Sequence, residues 1–165
     1  MSAKKSDRLK TFVCSIVVLF AAFSFFASPV LALDYNRESL IGVDFSGRDL
    51  TDSEFTKANM RDANLSHTNL QEVRFFATNL ERANLEGADL RYSTLDAARL
   101  ARANLTNANL EGAFVANAKF DGATIDGADF TDVALRSDIQ KMLCQTAKGT
   151  NPTTGRKTRE TLYCD

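Results

Sequence analysis

The sequence predicts an all-β solenoid, a chain that coils and stacks on itself, because of two regularities. Every fifth residue from Leu40 to Leu135 is Leu, Phe, Met, Val or Ile, with no polar residue and no shift of phase. The residue two positions before each of these is nearly always small, most often Ala. A five-residue step scatters side chains around an α-helix, and in a flat strand it sends them to alternate faces. A chain that turns a corner every five residues keeps both positions inside.

The repeated unit has a recognisable form: a small residue, Asn or Asp, Leu or Phe, then two variable residues. It is carried by "ANLEG" at 83–87, "ADLRY" at 88–92, "ANLTN" at 103–107 and "ADFTD" at 128–132. Residues 40–135 therefore resemble the pentapeptide-repeat family. The resemblance implies a right-handed quadrilateral β-helix of about five coils, with four units per coil.

Four units per coil place residues twenty apart in one stack, which predicts four interior columns. The columns are Leu40, Met60, Leu80, Leu100, Phe120; Phe45, Leu65, Leu85, Leu105, Ile125; Leu50, Leu70, Leu90, Leu110, Phe130; and Phe55, Phe75, Leu95, Val115, Leu135. No coil of this kind is stable alone, because its apolar side chains are buried only against neighbouring coils.

The first 32 residues have the form of a cleaved signal peptide. Four basic residues precede position 11, an apolar run covers 11–27, and Val30-Leu31-Ala32 resembles a cleavage site. The alternative is a retained membrane anchor, for which the apolar run is short. We expect cleavage after Ala32, no stable membrane anchor afterwards, and a lead-in or cap at 33–39.

The charge of the remaining chain argues against nucleic-acid binding. Residues 1–32 hold four basic and one acidic side chain, and their removal leaves 16 basic and 20 acidic side chains. The repeats at 40–135 contain 15 acidic and 9 basic residues, a modest excess of acid.

The period ends after Leu135, and residues 136–165 are predicted to form a helical cap. Ser137 with Gln140 has the spacing of a capping box, which predicts a short helix that ends at Gly149. A second, shorter helix is expected after Thr158. The apolar end of a solenoid needs a cover, and five tail residues are suited to it: Ile139, Met142, Leu143, Leu162 and Tyr163.

Cys144 and Cys164 are the two cysteines that remain after cleavage. An even pair in an exported chain predicts one disulfide, which would join the two helices of the cap. A zinc site is the alternative, but it requires further Cys or His nearby. The tail "LCQTAKGTNPTTGRKTRETLYC" resembles that of exported pentapeptide-repeat proteins of cyanobacteria and the chloroplast thylakoid lumen. This resemblance implies a location in the thylakoid lumen or the periplasm.

The sequence does not indicate an enzyme, a cofactor or a metal site. His67, the single histidine, lies at an outward position whose stack is Gly47, Gly87, Asn107 and Gly127, so no acid or base adjoins it there. The basic cluster at 156–159 is interpreted as a solvated loop, with docking to an acidic membrane as the alternative.

The fourth side departs most from the motif. We use this name for the side of the coil formed by "SEFTK" at 53–57, "VRFFA" at 73–77, "STLDA" at 93–97 and "AFVAN" at 113–117. Phe76 and Phe114 occupy outward positions there, flanked by Arg74 and Asp96. Exposed aromatic side chains can anchor a partner, which makes these four residues a candidate interaction surface. The alternative is that each ring packs over a neighbouring column or the cap.

Two classes of function follow. The first is a non-catalytic interaction or scaffold module that meets an unknown protein partner in the exported compartment, with a purely structural stress protein as a variant that sequence cannot separate from it. The second is a topoisomerase inhibitor that mimics a DNA duplex, as some members of the family that this sequence resembles do. The signal peptide and the modest acidity of the repeats disfavour the second.

Overall fold

Residues 33–165 are described by the computed structural model, and the predicted signal peptide, 1–32, lies outside them. Parallel bridges join residues that are twenty apart in the chain. One ladder runs through Asp49, Asn69, Asp89, Asn109 and Asp129, and equivalent ladders follow the other sides. Twenty residues, or four pentapeptides, therefore make one coil.

Nearly every corner of the coil is a type II β-turn that follows the central apolar residue; the turn at Thr51 and Asp52 is the exception, because Asp52 has no positive φ. The N–H of Ala63 donates to the carbonyl of Met60 at 3.1 Å, for example. The second turn residue has a positive φ, such as 67° at Gly42 and 55° at His67. In this conformation its N–H points along the tower, and Gly47 donates to the carbonyl of Ser66 one coil on, at 2.9 Å.

The predicted interior columns are confirmed. Met60, Leu80 and Leu100 are fully buried, and the other columns are buried in the same way except at Leu40 and Leu135, which are half-buried at the ends of the tower. The small residues two positions earlier are buried beside them. Most of the apolar core is thus supplied by two of every five residues.

The coil begins one unit before the expected start. Residues 33–39 were expected to be a lead-in, yet Asp34 bridges Glu54 and Arg37 adopts the turn conformation with φ 63°. Tyr35 takes the central position and stacks on Phe55 with ring centroids 5.0 Å apart. The apolar series omitted this unit because its central residue carries a hydroxyl.

Asparagine side chains reinforce the second side, which includes residues 43–47, 63–67, 83–87 and 103–107. Asn64 donates to Asp44 at 3.1 Å, Asn84 to Asn64 at 3.3 Å, and Asn104 to Asn84 at 3.0 Å. Each of these bonds joins one coil to the next.

Two helices follow the tower: α1, Ser137–Cys144, and α2, Thr158–Thr161. The capping-box expectation is wrong, because Arg136 is the N-cap residue of α1 and makes no side-chain cap hydrogen bond. Gln140 instead donates its Nε2 to the carbonyl of Leu162 at 2.7 Å, which ties α1 to the end of α2. The helix also ends at Cys144, before Gly149. Among residues 33–165, no helix is long and apolar enough to cross a membrane.

Candidate interaction surface

The structure places both phenylalanines of the fourth side on the outside of the tower. Phe76 is 41% exposed and Phe114 is 63% exposed, whereas Phe75, beside Phe76 in the chain, is fully buried. The pleat explains the contrast, because the central residue points inward and its two neighbours point outward. Phe76 and Phe114 therefore lie outside the packed columns.

Arg74 and Asp96 lie on the same side but in different electrostatic settings. Arg74 pairs with Glu54 at 3.1 Å, and both side chains are about half exposed, so the pair contributes little to stability. Asp96 has one carboxylate oxygen, Oδ1, that is buried and has no hydrogen-bond partner among the described residues. A shielded oxygen without a donor is costly, and the Asp96 carboxylate forms no salt bridge with another described residue, so a basic group of a partner would offset its charge.

Small apolar residues are frequent at the outward positions of this side, although Thr94 and Asp96 lie with Ala97 in the coil between the two rings. Four outward positions on this side and its continuation are alanine: Ala77, Ala97, Ala116 and Ala134. By contrast, the outward positions of the second side are mainly Asn, Asp, Ser, Thr and Gly. The fourth side therefore exposes more apolar side chains than the second side, next to charged residues such as Arg74 and Asp96.

His67 lies at an outward position of the second side, as predicted. It is exposed, and its ring lies over Gly87, where a Cβ atom would come within 2.6 Å of its Nδ1. None of the groups of acidic, Cys and His residues between 33 and 165 is arranged to hold a metal ion.

The cap is joined covalently by a disulfide between Cys144 and Cys164, whose Cα atoms are 5.6 Å apart. The two cysteines close α1 against the segment that follows α2. Arg159 adds hydrogen bonds from its guanidinium to the carbonyls of Cys144, at 3.0 Å, and Asp165, at 2.8 Å.

Arg156 anchors the cap to the tower, so the solvated-loop interpretation of the basic cluster is wrong for this residue. Its guanidinium contacts Glu111 at 3.0 Å, the buried Asp129 at 3.1 Å and the hydroxyl of Thr131 at 2.9 Å. Lys157 pairs with Glu160 at 2.7 Å. Arg156 and Lys157 thus form ion pairs with acidic residues of the same chain.

Burial of Asp129 opposes its ionisation, but other contacts outweigh this effect and lower its pKa. They are hydrogen bonds from the hydroxyl and N–H of Thr131, a hydrogen bond from Thr154 and the charge of Arg156. Sequence reasoning missed the Asp129–Arg156 contact because the residues are far apart in the chain and only one belongs to the repeat. The three basic residues of the loop were the one feature of the sequence that could have indicated an ion pair with the tower.

Comparison with known proteins agrees with this architecture. A model described as a pentapeptide repeat region matches residues 33–105, and one described as pentapeptide repeats matches residues 98–136. A crystal structure of a pentapeptide repeat protein from the Arabidopsis thaliana thylakoid lumen is 44% identical with a TM-score of 0.64, covering 78% of this chain and 89% of that chain. A pentapeptide repeat protein from Nostoc is 32% identical with a TM-score of 0.50, covering 55% of this chain and 83% of that chain.

Among curated relatives, thylakoid lumenal 15 kDa protein 1 of Arabidopsis thaliana chloroplasts is 57% identical over 37 residues. The match spans 22% of this chain and 16% of that relative's length. The chain belongs to the pentapeptide-repeat family, and its tower is a right-handed quadrilateral β-helix. It is related to a protein of the thylakoid lumen.

Proposed function

We propose that this protein is a non-catalytic binding module of an exported compartment, the thylakoid lumen or the periplasm, whose fourth side meets a partner protein. The observation that supports the proposal is the exposure of Phe76 and Phe114 on one side of the tower, with several alanines at its other outward positions. Aromatic side chains dominate the binding energy of many protein interfaces. The lumenal origin of a relative that is 44% identical supports the compartment.

Replacing both Phe76 and Phe114 by Ser tests this proposal. The interior columns are untouched, so the melting temperature should stay within a few degrees of the parent. Capture of the partner from a lumenal or periplasmic fraction, measured by quantitative mass spectrometry, should be lost.

Ile41→Ser is the matched control, because Ile41 is 45% exposed but lies on the first side of the coil, at 38–42. The control should capture the partner as the parent does. If the double variant unfolds at a much lower temperature, the rings contribute to packing and the interface proposal fails. If the double variant keeps both its stability and its partner, binding occurs elsewhere.

A further inference from the structure

Between coils, the fourth side is held by a regular set of backbone hydrogen bonds. The N–H of Leu95 donates to the carbonyl of Phe114 at 2.7 Å, and the N–H of Ala97 donates to the carbonyl of Ala116 at 2.8 Å. A third bond runs the other way, from the N–H of Phe114 to the carbonyl of Ser93 at 2.9 Å. In each complete step of the ladder, one unit therefore contributes two N–H donors and one carbonyl acceptor to the unit stacked on it.

The next step of this ladder is missing. Among the described residues, the N–H groups of Val115 and Asn117 make no backbone hydrogen bond, and the carbonyl of Ala113 accepts none. The bridge that would join Phe114 to Ala134 is also absent, because the chain leaves the coil to enter α1. Val115 is only 5% exposed, and its N–H has no backbone partner among the described residues.

A groove follows this open edge. Its volume is about 300 Å³, and its lining includes Val115, Ala116, Asn117 and Ala118. Ala134, Leu135 and Arg136, with Ile139 of α1, complete its lining. The lining is largely apolar and small, and the exposed ring of Phe114 lies beside it in the chain.

Asp96 supplies a charge next to the groove. It occupies the position directly below Ala116 in the twenty-residue register, one ladder spacing or about 4.8 Å away. Its buried Oδ1 lacks a partner, as described above. The nearest positive charge along this column, Arg136, is paired with Asp138 at 2.7 Å and is therefore already neutralised.

We infer that this groove binds an extended segment of a partner protein, which adds as a strand to the open edge and presents a Lys or Arg side chain to Asp96. Two free donors and one free acceptor in ladder geometry match the backbone of an added parallel strand. Small side chains in the wall leave room for the backbone to approach, and the unpaired carboxylate favours a basic residue. This inference rests on the proposed function and specifies its partner.

A phage library of random dodecapeptides, selected on the exported protein, tests the inference. Enriched peptides should contain a Lys or Arg among β-forming residues. Their affinity, measured by fluorescence anisotropy with labelled synthetic peptides, should fall about tenfold or more in Asp96→Asn. Ala116→Arg, which fills the groove, should abolish binding.

Two matched variants control for general effects of these changes. Ala101→Arg and Asp121→Asn alter the same motif position as Ala116 and Asp96, but on the first side. Both should bind the selected peptides as the parent does. In the parent, bound peptide should also slow hydrogen exchange at the amides of Val115 and Asn117, a measurement that does not depend on any variant.

Several results would overturn the inference. The first is a selection that enriches no peptide, or only peptides that bind equally well to the Ala116→Arg protein. The second is unchanged hydrogen exchange at the amides of Val115 and Asn117. The third is a peptide affinity that is the same for Asp96→Asn as for the parent. If peptides fail while Phe76→Ser/Phe114→Ser still abolishes capture, the partner binds as a folded surface, and the proposed function survives without the strand.

Discussion

At the scale of single residues, the fifth position of each pentapeptide is restricted in its backbone conformation, although many different side chains occur there. This position adopts a positive φ in nearly every unit, including 57° at Arg82, 58° at Tyr92 and 61° at Glu72. Six of these positions are Gly: 42, 47, 87, 112, 122 and 127. The glycines share a backbone angle but not an environment, since Gly42 faces open space and Gly127 is buried under the cap.

Substitution by Ala should separate these two effects. Gly42→Ala should cost about 1 kcal/mol, the price of the left-handed conformation alone. Gly127→Ala should cost more, because a Cβ there would collide with the Asn107 side chain and lie 3.3 Å from the carbonyl of Thr150. Urea unfolding of both variants measures the difference. Equal losses would mean that the cap does not press on Gly127.

The contact between Asp129 and Arg156 makes a second prediction at this scale. Because the pKa of Asp129 is lowered in the folded chain, its ionised form stabilises that state. This contribution is fully present above the unfolded pKa, about 3.9, and disappears as the pH falls through the lower folded value.

Asp129→Asn should therefore destabilise the protein by about 1.5–3 kcal/mol at pH 7 and by much less near pH 2. Chemical unfolding at the two pH values measures this. Asp132→Asn serves as the control, because Asp132 is exposed and makes no salt bridge within the described chain. A loss that is the same at both pH values would show that the charge of Asp129 is not what holds Arg156.

At the scale of elements, the cap and the tower are held together by different means. The tower is stabilised by interior columns and by ladders that repeat in every coil. The cap has one short helix, a single turn of another, and a few anchoring contacts, among them the hydrogen bond from the N–H of Phe130 to the hydroxyl of Thr161 at 3.1 Å. The disulfide closes a segment with a sequence separation of 20, which stabilises the folded state by roughly 3 kcal/mol in the entropic description.

Reduction should consequently loosen the cap and leave the tower folded. Hydrogen exchange should accelerate at α1 and α2, while amides in the middle coils, such as those of Leu65 and Leu85, stay protected. Mass spectrometry of oxidised and reduced protein makes the comparison. Cooperative loss of protection in both parts would show that the tower depends on its cap.

At the scale of the whole molecule, the sequence predicts the tower far better than its ends. Columns such as Met60, Leu80 and Leu100 could be predicted because each unit repeats the same local contact, so one period determines them all. The ends lack that redundancy. Tyr35 was missed because its hydroxyl breaks the apolar series, and the contacts of Arg156 and Gln140 were missed because each occurs once and joins distant segments.

In the candidate interaction surface too, the repeated features could be predicted from the sequence and the features that occur once could not. The period correctly indicated that Phe76 and Phe114 occupy outward positions, and both rings are exposed. It did not reveal the unpaired Oδ1 of Asp96 or the open edge at Val115. The open edge depends on where the chain leaves the coil, and the unpaired oxygen depends on the packing around one side chain, so neither has a repeated signal in the sequence.

The last prediction concerns the boundary between the predicted signal peptide and the coil. The carbonyl of Leu33 accepts a hydrogen bond from the N–H of Glu54 at 3.1 Å, and Asp34 is the first residue of the ladder. Cleavage after Ala32 would therefore remove the apolar run and leave every described coil contact in place. We expect the native protein to have an intact mass corresponding to residues 33–165 with one disulfide, and to fractionate with exported proteins. A mass that retains residues 1–32 would mean that the run serves as an anchor, and the partner should then be sought at a membrane.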